Sequence, residues 1–306
     1  MHLETAQFND SISYLDNGLL DAPGLGSTYL IRGDELAIVE TGTSRCAPNV
    51  LDGLQRLGVD PTDVRHILLT HIHMDHAGGA GTLIRSMPDA RVYIHSRTAP
   101  YLVDPSDLMV SAERALGDLY ALHGPVEPLP TERIVHADEL RLDLGRGIVI
   151  EAIATPGHSS DHVSYYETGS RSLFTGDALG IVVPLANYSG PVTPPPALNL
   201  DQQRATFDKL GALPIDTLLL SHYGPSRDPR ATIEHLRERF EQIVALVEPM
   251  WQAGNVDMAD VVRVMVDHSG RDRDVQRAIE GWVEMSVRGL VVYYERQAKR
   301  AREAQQ

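Results

Sequence analysis

Cysteine is nearly missing from this chain. Cys46 is the single one in 306 residues, so no disulfide framework can form within a molecule. With no histidine or cysteine beside it, Cys46 reads as a small, partly buried residue rather than a nucleophile. Basic residues are scarce too. Lys and Arg number 27 against 42 Asp and Glu, giving a formal net charge of −15 at pH 7. No domain-wide basic footprint exists for a polyanion, which argues against nucleic acid as a partner. No run of eighteen apolar residues occurs, so no segment is expected to span a membrane. The N-terminus, Met1-His2-Leu3-Glu4-Thr5, has neither the basic region nor the apolar core of a secretory signal. These absences make a cytoplasmic location the expectation. Hydrophobic residues make up 42%, and this length is ample for a sizeable core.

What the chain does have is histidine in a pattern. His71-Ile72-His73-Met74-Asp75-His76 follows the apolar run His66-Ile67-Leu68-Leu69-Thr70, which predicts a buried strand ending at the motif. Alternation along an extended chain would put His71 and His73 on one side. Asp75 and His76 would come round on a loop before a helix starting near Gly81-Thr82. Imidazole and carboxylate clustered at a strand's end suit a divalent transition metal, and four ligands offset by a turn point to two ions.

Further along, the same arrangement recurs. Tyr29–Arg32 and Leu36–Glu40 flank Gly33-Asp34-Glu35 as a hairpin, and Pro48–Leu57 has the spacing of an amphipathic helix. Leu83–Met87 reads as a short helix, Val92–Ile94 as a strand, and Ala112–Tyr120 as a helical excursion over the site. The β-branched run Ile148–Ile153 leads into Thr155-Pro156-Gly157-His158-Ser159-Ser160-Asp161-His162, where Pro156 and Gly157 force a turn and aim His158 outward. Val163–Tyr166 and Ser172–Thr175 follow as strands, the second ending in Gly176-Asp177. Asp216–Ser221 is another, ending at His222. Four strands therefore each end in a metal-type ligand, and alternating strands and helices predict a layered α/β fold. His95, His123 and His136 have no partner at ligand spacing and read as surface or hydrogen-bonded residues. The stretch Ser189–Pro196, rich in proline, cannot be regular helix or central strand and is expected to line or cover the site, with a plain ordered connector as the alternative. Asp201–Leu210 reads as helix, capped by Asn199 or Asp201. From Pro229 onward helices are expected, the last over Val275–Ala301 with Gly281 and Gly289 as weak points and Arg300–Gln306 as a fraying end. Trp251, Trp282 and Met285 are read as core packing, with pocket lining as the alternative.

These residues resemble the metallo-β-lactamase fold superfamily of binuclear metallohydrolases over about residues 10–225. The resemblance implies an αββα four-layer sandwich of two mixed β-sheets flanked by helices, with residues 1–228 forming the sandwich. Residues 229–306 would be a helical C-terminal extension that caps the site or forms a dimer surface. It also implies a ligand set: His71, His73 and His158 for one metal, Asp75, His76 and His222 for a second, and Asp177 bridging. His162 matches no ligand position and is read as structural. Glu40 stands where the family usually has an aspartate before Thr-Gly, which changes a supporting contact. The ligand motifs contain no cysteine, unlike class B β-lactamases, and His73 stands where flavodiiron proteins have glutamate. The wording from Gly157 to Val163 and from Leu173 to Gly180 is similar to quinolone-signal response thioesterase-like members.

Two dications bridged by Asp177 would hold a water between them and lower its pKa toward neutrality. The expected function is a hydrolase using that bridging hydroxide on a small ester or thioester, with Asp75 also orienting it or shuttling its proton. A phosphodiesterase on a small phosphodiester, or a regulatory metal-binding protein acting through partner contact, are the alternatives. Zinc leads as the metal, with iron or manganese as alternatives.

Overall fold

The computed structural model describes residues 3–269 and 272–305; Met1, His2 and Gln306, on which expectations about both termini partly rest, lie outside them. In the first half, apolar runs broken by turn residues fold into β1 (Thr5–Gln7), β2 (Ile12–Asp16), β3 (Ser27–Arg32), β4 (Leu36–Val39), β5 (Val64–Leu68), β6 (Arg91–Ile94) and β7 (Ile134–His136). They pair in that order, antiparallel from β1 to β4 and parallel from β4 to β7. The expected hairpin is β3–β4, with Arg32 opposite Leu36. Parallel neighbours need crossovers, and α1 (Ala47–Arg56) supplies the first. It buries Val50 and Leu54, one turn apart, and carries Pro48 in its first turn, where the missing N–H costs nothing. Short helices α2 (Met74–Ala77) and α3 (Ala80–Leu83) follow β5, and α4 (Pro100–Val103) and α5 (Ser106–Leu116) follow β6.

The second sheet uses β8 (Arg141–Asp143), β9 (Val149–Ala154), β10 (Val163–Glu167) and β11 (Ser172–Gly176). A separate ribbon of β12 (Ile181–Val183) and β13 (Tyr188–Gly190) interrupts it, then comes α6 (Leu200–Ala212), before β14 (Thr217–Leu220) and β15 (Gly224–Ser226) complete it. Strand order is β15-β14-β11-β10-β9-β8, parallel only between β11 and β14. Three long-range helices close the chain: α7 (Pro229–Gln252), α8 (Met258–Met265) and α9 (Arg273–Glu303). Asn199, Asp228, Asp257 and Asp272 cap α6 to α9, each accepting from a first-turn backbone N–H.

Alternation along the strands decides the layers. Ile31, Val39 and Leu68 of the first sheet meet Ile150, Tyr165 and Phe174 of the second in one apolar cluster. Their neighbours Leu30, Ile38 and Ile67 face the other way, against Val50 and Leu54 of α1. Leu173, Leu218 and Leu220 likewise face a cluster that takes in Phe207 of α6, Phe240 of α7 and Val283 of α9. The result is the expected αββα sandwich of two mixed sheets. Helices α7–α9 share one continuous core with β11 and β14.

Local differences from the sequence expectations have identifiable causes. Strand β5 stops at Leu68, so His71 and His73 sit on a loop rather than on the strand. There the chain turns to the second sheet, where the Thr70 carbonyl accepts from Val163 N–H. The helix then begins at Met74, not near Gly81, because the His73 carbonyl accepts from the N–H groups of His76 and Ala77. Asp75 and His76 are thus helical. The helix expected over Leu83–Met87 is displaced to Ala80–Leu83. Ser189 and Gly190 belong to the edge ribbon, and the irregular strap is confined to Pro191–Leu198.

Candidate metal centre

The C-terminal ends of β4, β5, β9, β11 and β14 lie on one edge of the sandwich. Strands β4 and β5 run parallel, as do β11 and β14, and β9 shares the direction of β11 because both oppose β10. Each end releases a loop carrying a polar group: Glu40, then Thr70–His76, His158–His162, Asp177, and Ser221-His222. The seven sequence-predicted ligand residues converge there.

His71 Nε2, His73 Nδ1 and His158 Nε2 form one trio, separated by 2.9, 2.9 and 3.2 Å. A second trio is Asp75 Oδ2, His76 Nε2 and His222 Nε2, with separations of 3.7, 3.6 and 3.3 Å. Asp177 stands between them. Its Oδ2 lies 3.5 Å from His158 Nε2, while its Oδ1 lies 3.4 Å from His76 Nε2 and 3.6 Å from His222 Nε2. Ligands bound tetrahedrally at the usual zinc–nitrogen distance sit about 3.3 Å apart, so both trios have the spacing of a cation's donor set. Asp177 Oδ1 is buried without a hydrogen-bond partner, a costly arrangement unless a cation compensates it. The residues fit the binding of divalent cations.

The outward nitrogens of His71, His158 and His222 are tied down, which fixes those three tautomers. His158 Nδ1–H donates to the Val192 carbonyl at 2.7 Å, and His222 Nδ1–H to the Leu25 carbonyl at 2.6 Å. His71 Nδ1 lies 3.0 Å from Thr70 Oγ1, whose own hydrogen goes to Glu40 Oε1 at 2.6 Å. Glu40 also accepts from Ser221 Oγ and stands 3.2 Å from His76 Nδ1, without hydrogen-bond geometry. It occupies the left-handed region at φ 67°, a conformation that costs a non-glycine residue roughly 1–3 kcal/mol. This carboxylate therefore braces both trios from below.

Electrostatics follow from burial and neighbours. Burial holds His71 well below its ordinary pKa and His73 down to about 4, with His158 adding to the second shift. Both rings stay neutral, as ligands must. Burial pushes the carboxyls of Asp75 and Asp177 up, but His76 and His222 outweigh it and hold both below the usual range. For His76, burial works downward and is overcome by Asp177, Glu40 and Asp75, which hold the ring's pKa well above its ordinary value.

His162 is not in either trio. Its Nδ1–H donates to Thr155 Oγ1 at 2.8 Å, and its Nε2 accepts the Asp177 N–H at 3.0 Å. Burial keeps it neutral, so it supports Asp177 from behind. Gly176 makes this approach feasible: at φ 53°, a Cβ there would lie 2.5 Å from His162 Nε2. Asp161 escaped the sequence reading. Its Oδ2 accepts from Ile72 N–H and Thr98 Oγ1, pinning the first histidine loop. A buried acid inside a ligand motif was its only sequence signal.

A cleft of about 460 Å³ opens over the centre, with His73, Asp75, Asp177 and His222 at its floor. Its walls are Leu108, Ala112 and Leu116 of α5, Pro194–Pro196 of the strap, and Trp282 and Met285 of α9. Trp282 and Met285 thus line the cleft as well as packing in the core, so both of the roles open to them apply. Trp282 stands edge-on to His222, with centroids 5.3 Å apart. Trp251 stacks on Tyr294, outside the cleft-lining set. His95 pairs with Asp138, and His123 Nδ1 bonds the Leu119 carbonyl. Neither His95, His123 nor His136 joins a trio. Cys46 is buried beside Thr43, and burial pushes its thiol up to about 11 against the opposing hydrogen bonds from Thr43.

The family described as the metallo-β-lactamase superfamily matches residues 21–222. A metallo-β-lactamase fold-containing protein of Sulfurisphaera tokodaii is 29% identical over 231 residues, covering 72% of this chain and 81% of the relative. A hydroxyacylglutathione hydrolase of Aeromonas hydrophila is 30% identical over 167 residues, 54% of this chain and 50% of that protein. Among solved structures, an archaeal metallo-β-lactamase superfamily protein from Sulfolobus tokodaii superposes with a TM-score of 0.69 at 24% identity, covering 92% of this chain and 98% of that one. A subclass B3 metallo-β-lactamase from a soil metagenome library gives 0.58 at 20% identity, over 78% and 94%.

Proposed function

The chain belongs to the metallo-β-lactamase superfamily, and from that premise we propose that it is a metal-dependent hydrolase of small, uncharged esters or thioesters with an apolar acyl group. His71, His73 and His158 would hold one divalent ion, Asp75, His76 and His222 the other, with Asp177 shared. Zinc suits this nitrogen–oxygen donor set, and iron or manganese do so as alternatives. Bound there, such ions polarise a carbonyl oxygen and acidify water.

The chain's own residues supply the rest. Asp75 is the acidic ligand most open to the cleft, its side chain 20% exposed. Held ionised by His76 and His222, it accepts a hydrogen bond from water and orients it toward the substrate. The walls of α5, α9 and the strap exclude bulk water and seat the acyl group.

One observation carries the choice of substrate. No Lys or Arg is among the residues lining the cleft, and its charged groups beyond the floor are Asp107 and Asp161. A carboxylate or second phosphate on a substrate would be desolvated there without a cationic side chain to receive it. An apolar acyl chain would meet Leu108, Ala112, Pro194 and Met285 instead. The name of the Aeromonas relative, a hydroxyacylglutathione hydrolase, agrees with hydrolysis.

The test compares a neutral medium-chain acyl-thioester, the same chain ending in a carboxylate, and a bis(aryl) phosphodiester, using Zn-, Mn- and Fe-loaded protein. An Asp177→Ala variant serves as control. We expect kcat/KM for the neutral thioester to exceed the other two at least tenfold and to vanish in the variant. A preference for the phosphodiester, or for the carboxylate-bearing chain, would reject the reading.

A further inference from the structure

Glycine in the middle of a helix costs roughly 1 kcal/mol relative to alanine unless packing needs it. Gly289, in the body of α9, has such a need. A Cβ at that position would lie 1.7 Å from the Thr193 carbonyl oxygen and 3.1 Å from the Pro194 carbonyl carbon. Helix and strap therefore meet backbone to backbone. One turn earlier, buried Ser286 secures the same strap on both sides: its Oγ accepts from Thr193 N–H at 3.2 Å, and its carbonyl accepts from Thr193 Oγ1 at 3.1 Å. The next residue back along the strap is Val192, whose carbonyl receives the Nδ1–H of His158. A continuous chain of contacts thus runs from α9 through Thr193 and Val192 to a ring in the first trio. Four residues before Ser286, Trp282 stands against His222 of the second.

We propose that α9 is a positioning element of the metal centre, with Ser286 and Gly289 holding the strap so that Val192 fixes His158 in the Nδ1–H tautomer. That leaves the His158 Nε2 lone pair aimed at His71 and His73. Neither Ser286 nor Gly289 touches a ligand side chain. Both act through the strap. The proposal rests on the reading of the trios as metal ligands, but its structural half, the tautomer, can be read without metal.

Three variants of the full chain test it: Ser286→Ala, Gly289→Ala, and Gly281→Ala. The last is a control on the same helix, whose added Cβ would meet only the Leu119 side chain. Two measurements are made on each: zinc affinity by competition with a chromophoric chelator, and the His158 tautomer by long-range ¹H–¹⁵N imidazole spectra of the metal-free protein. Removal of groups that orient a metal-binding histidine typically costs about 10- to 100-fold in affinity. Ser286→Ala and Gly289→Ala should weaken binding of one zinc equivalent by about that factor and mix the His158 tautomers, while Gly281→Ala changes neither. A loss of thermal stability with unchanged zinc affinity and an unchanged tautomer would overturn the proposal. Should Gly289→Ala fail to fold, Ser286→Ala decides alone, since it deletes a single hydroxyl. Wild-type protein that takes up no zinc would reject the metal-centre reading, and the tautomer comparison would still decide the clamp.

Discussion

At the residue scale the centre depends on carboxylates with more than one contact each. Glu40 is the clearest case. It receives hydrogen bonds from Thr70 and Ser221, lies against His76, and holds a left-handed backbone conformation. Replacing it by glutamine keeps the shape and removes the charge that faces His76. A Glu40→Gln variant should bind metal about 10- to 100-fold more weakly, and isothermal titration with zinc would measure this. Unchanged affinity would mean that the contact is one of packing alone. Glu40 was visible in the sequence as a departure from an expected aspartate. Its bracing of two trios was not, because Thr70 and His76 reach it from one distant stretch and Ser221 from another. The Val192 and Leu25 carbonyls were invisible for a simpler reason: a backbone acceptor has no side-chain signature.

The scale of elements is where apolar patterning spoke most clearly and where its boundaries failed. Strands ending in His, Asp or Glu groups were legible because β-branched runs stop at turn residues. The start of α2 was not, since its first turn is set by the His73 carbonyl and by packing, not by a capping side chain. Helix α5 is unusual in burying none of its side chains fully, yet it supplies four apolar residues, Leu108, Ala112, Ala115 and Leu116, to the cleft wall. Enlarging one of them should therefore change substrate choice before it changes stability. In Ala112→Phe, kcat/KM for long acyl chains should fall at least tenfold relative to a two-carbon chain, as a loss of about 1.4 kcal/mol of transition-state binding. Equal losses for all chain lengths would place the acyl group elsewhere. Between α6 and α7, Arg204 and Glu241 form a two-pronged pair at 2.8 Å for each bond. Arg204 holds Glu241 below the usual carboxylate range. A lowered folded-state pKa means that the pair's stabilisation is present above the ordinary value and is lost as pH falls through the lowered one. Both side chains are about 40% exposed, so the coupling should be only about 0.5–1 kcal/mol. A double-mutant cycle with Arg204→Met and Glu241→Gln, followed by urea unfolding, should give that value at pH 7 and a smaller one below about pH 4.

For the whole molecule, the centre joins two halves that are also held by apolar contact and by hydrogen bonds such as those of Val163 N–H to the Thr70 carbonyl and Tyr165 Oη to the Leu69 carbonyl. Glu40 and the first histidine loop leave one sheet; His158, Asp177 and His222 leave the other. Between them lies the cluster of Ile31, Val39, Tyr165 and Phe174, and outside the second sheet α7–α9 pack into the same core as Leu218 and Leu220. No sequence pattern could have announced that Ser286 reaches back to the strap at the metal edge, since its contact with Thr193 spans more than ninety residues. A cation at the centre would bind only the folded chain, where the loops of both sheets converge, and would relieve the mutual repulsion of buried Asp75 and Asp177. Binding to the native state alone stabilises by about 2.7 kcal/mol at a free metal concentration one hundred times Kd. For a chain of 306 residues, with an unfolding entropy of about 0.64 kcal/mol/K, that corresponds to a shift in Tm of roughly 4 °C. Dialysis against a chelator should therefore lower Tm by that amount, and zinc should restore it. Because sheets and C-terminal helices share their cores, calorimetry should show one transition that moves as a unit. A second transition appearing on metal removal would mean that the halves fold separately, and a Tm indifferent to metal would remove the centre from the account of stability.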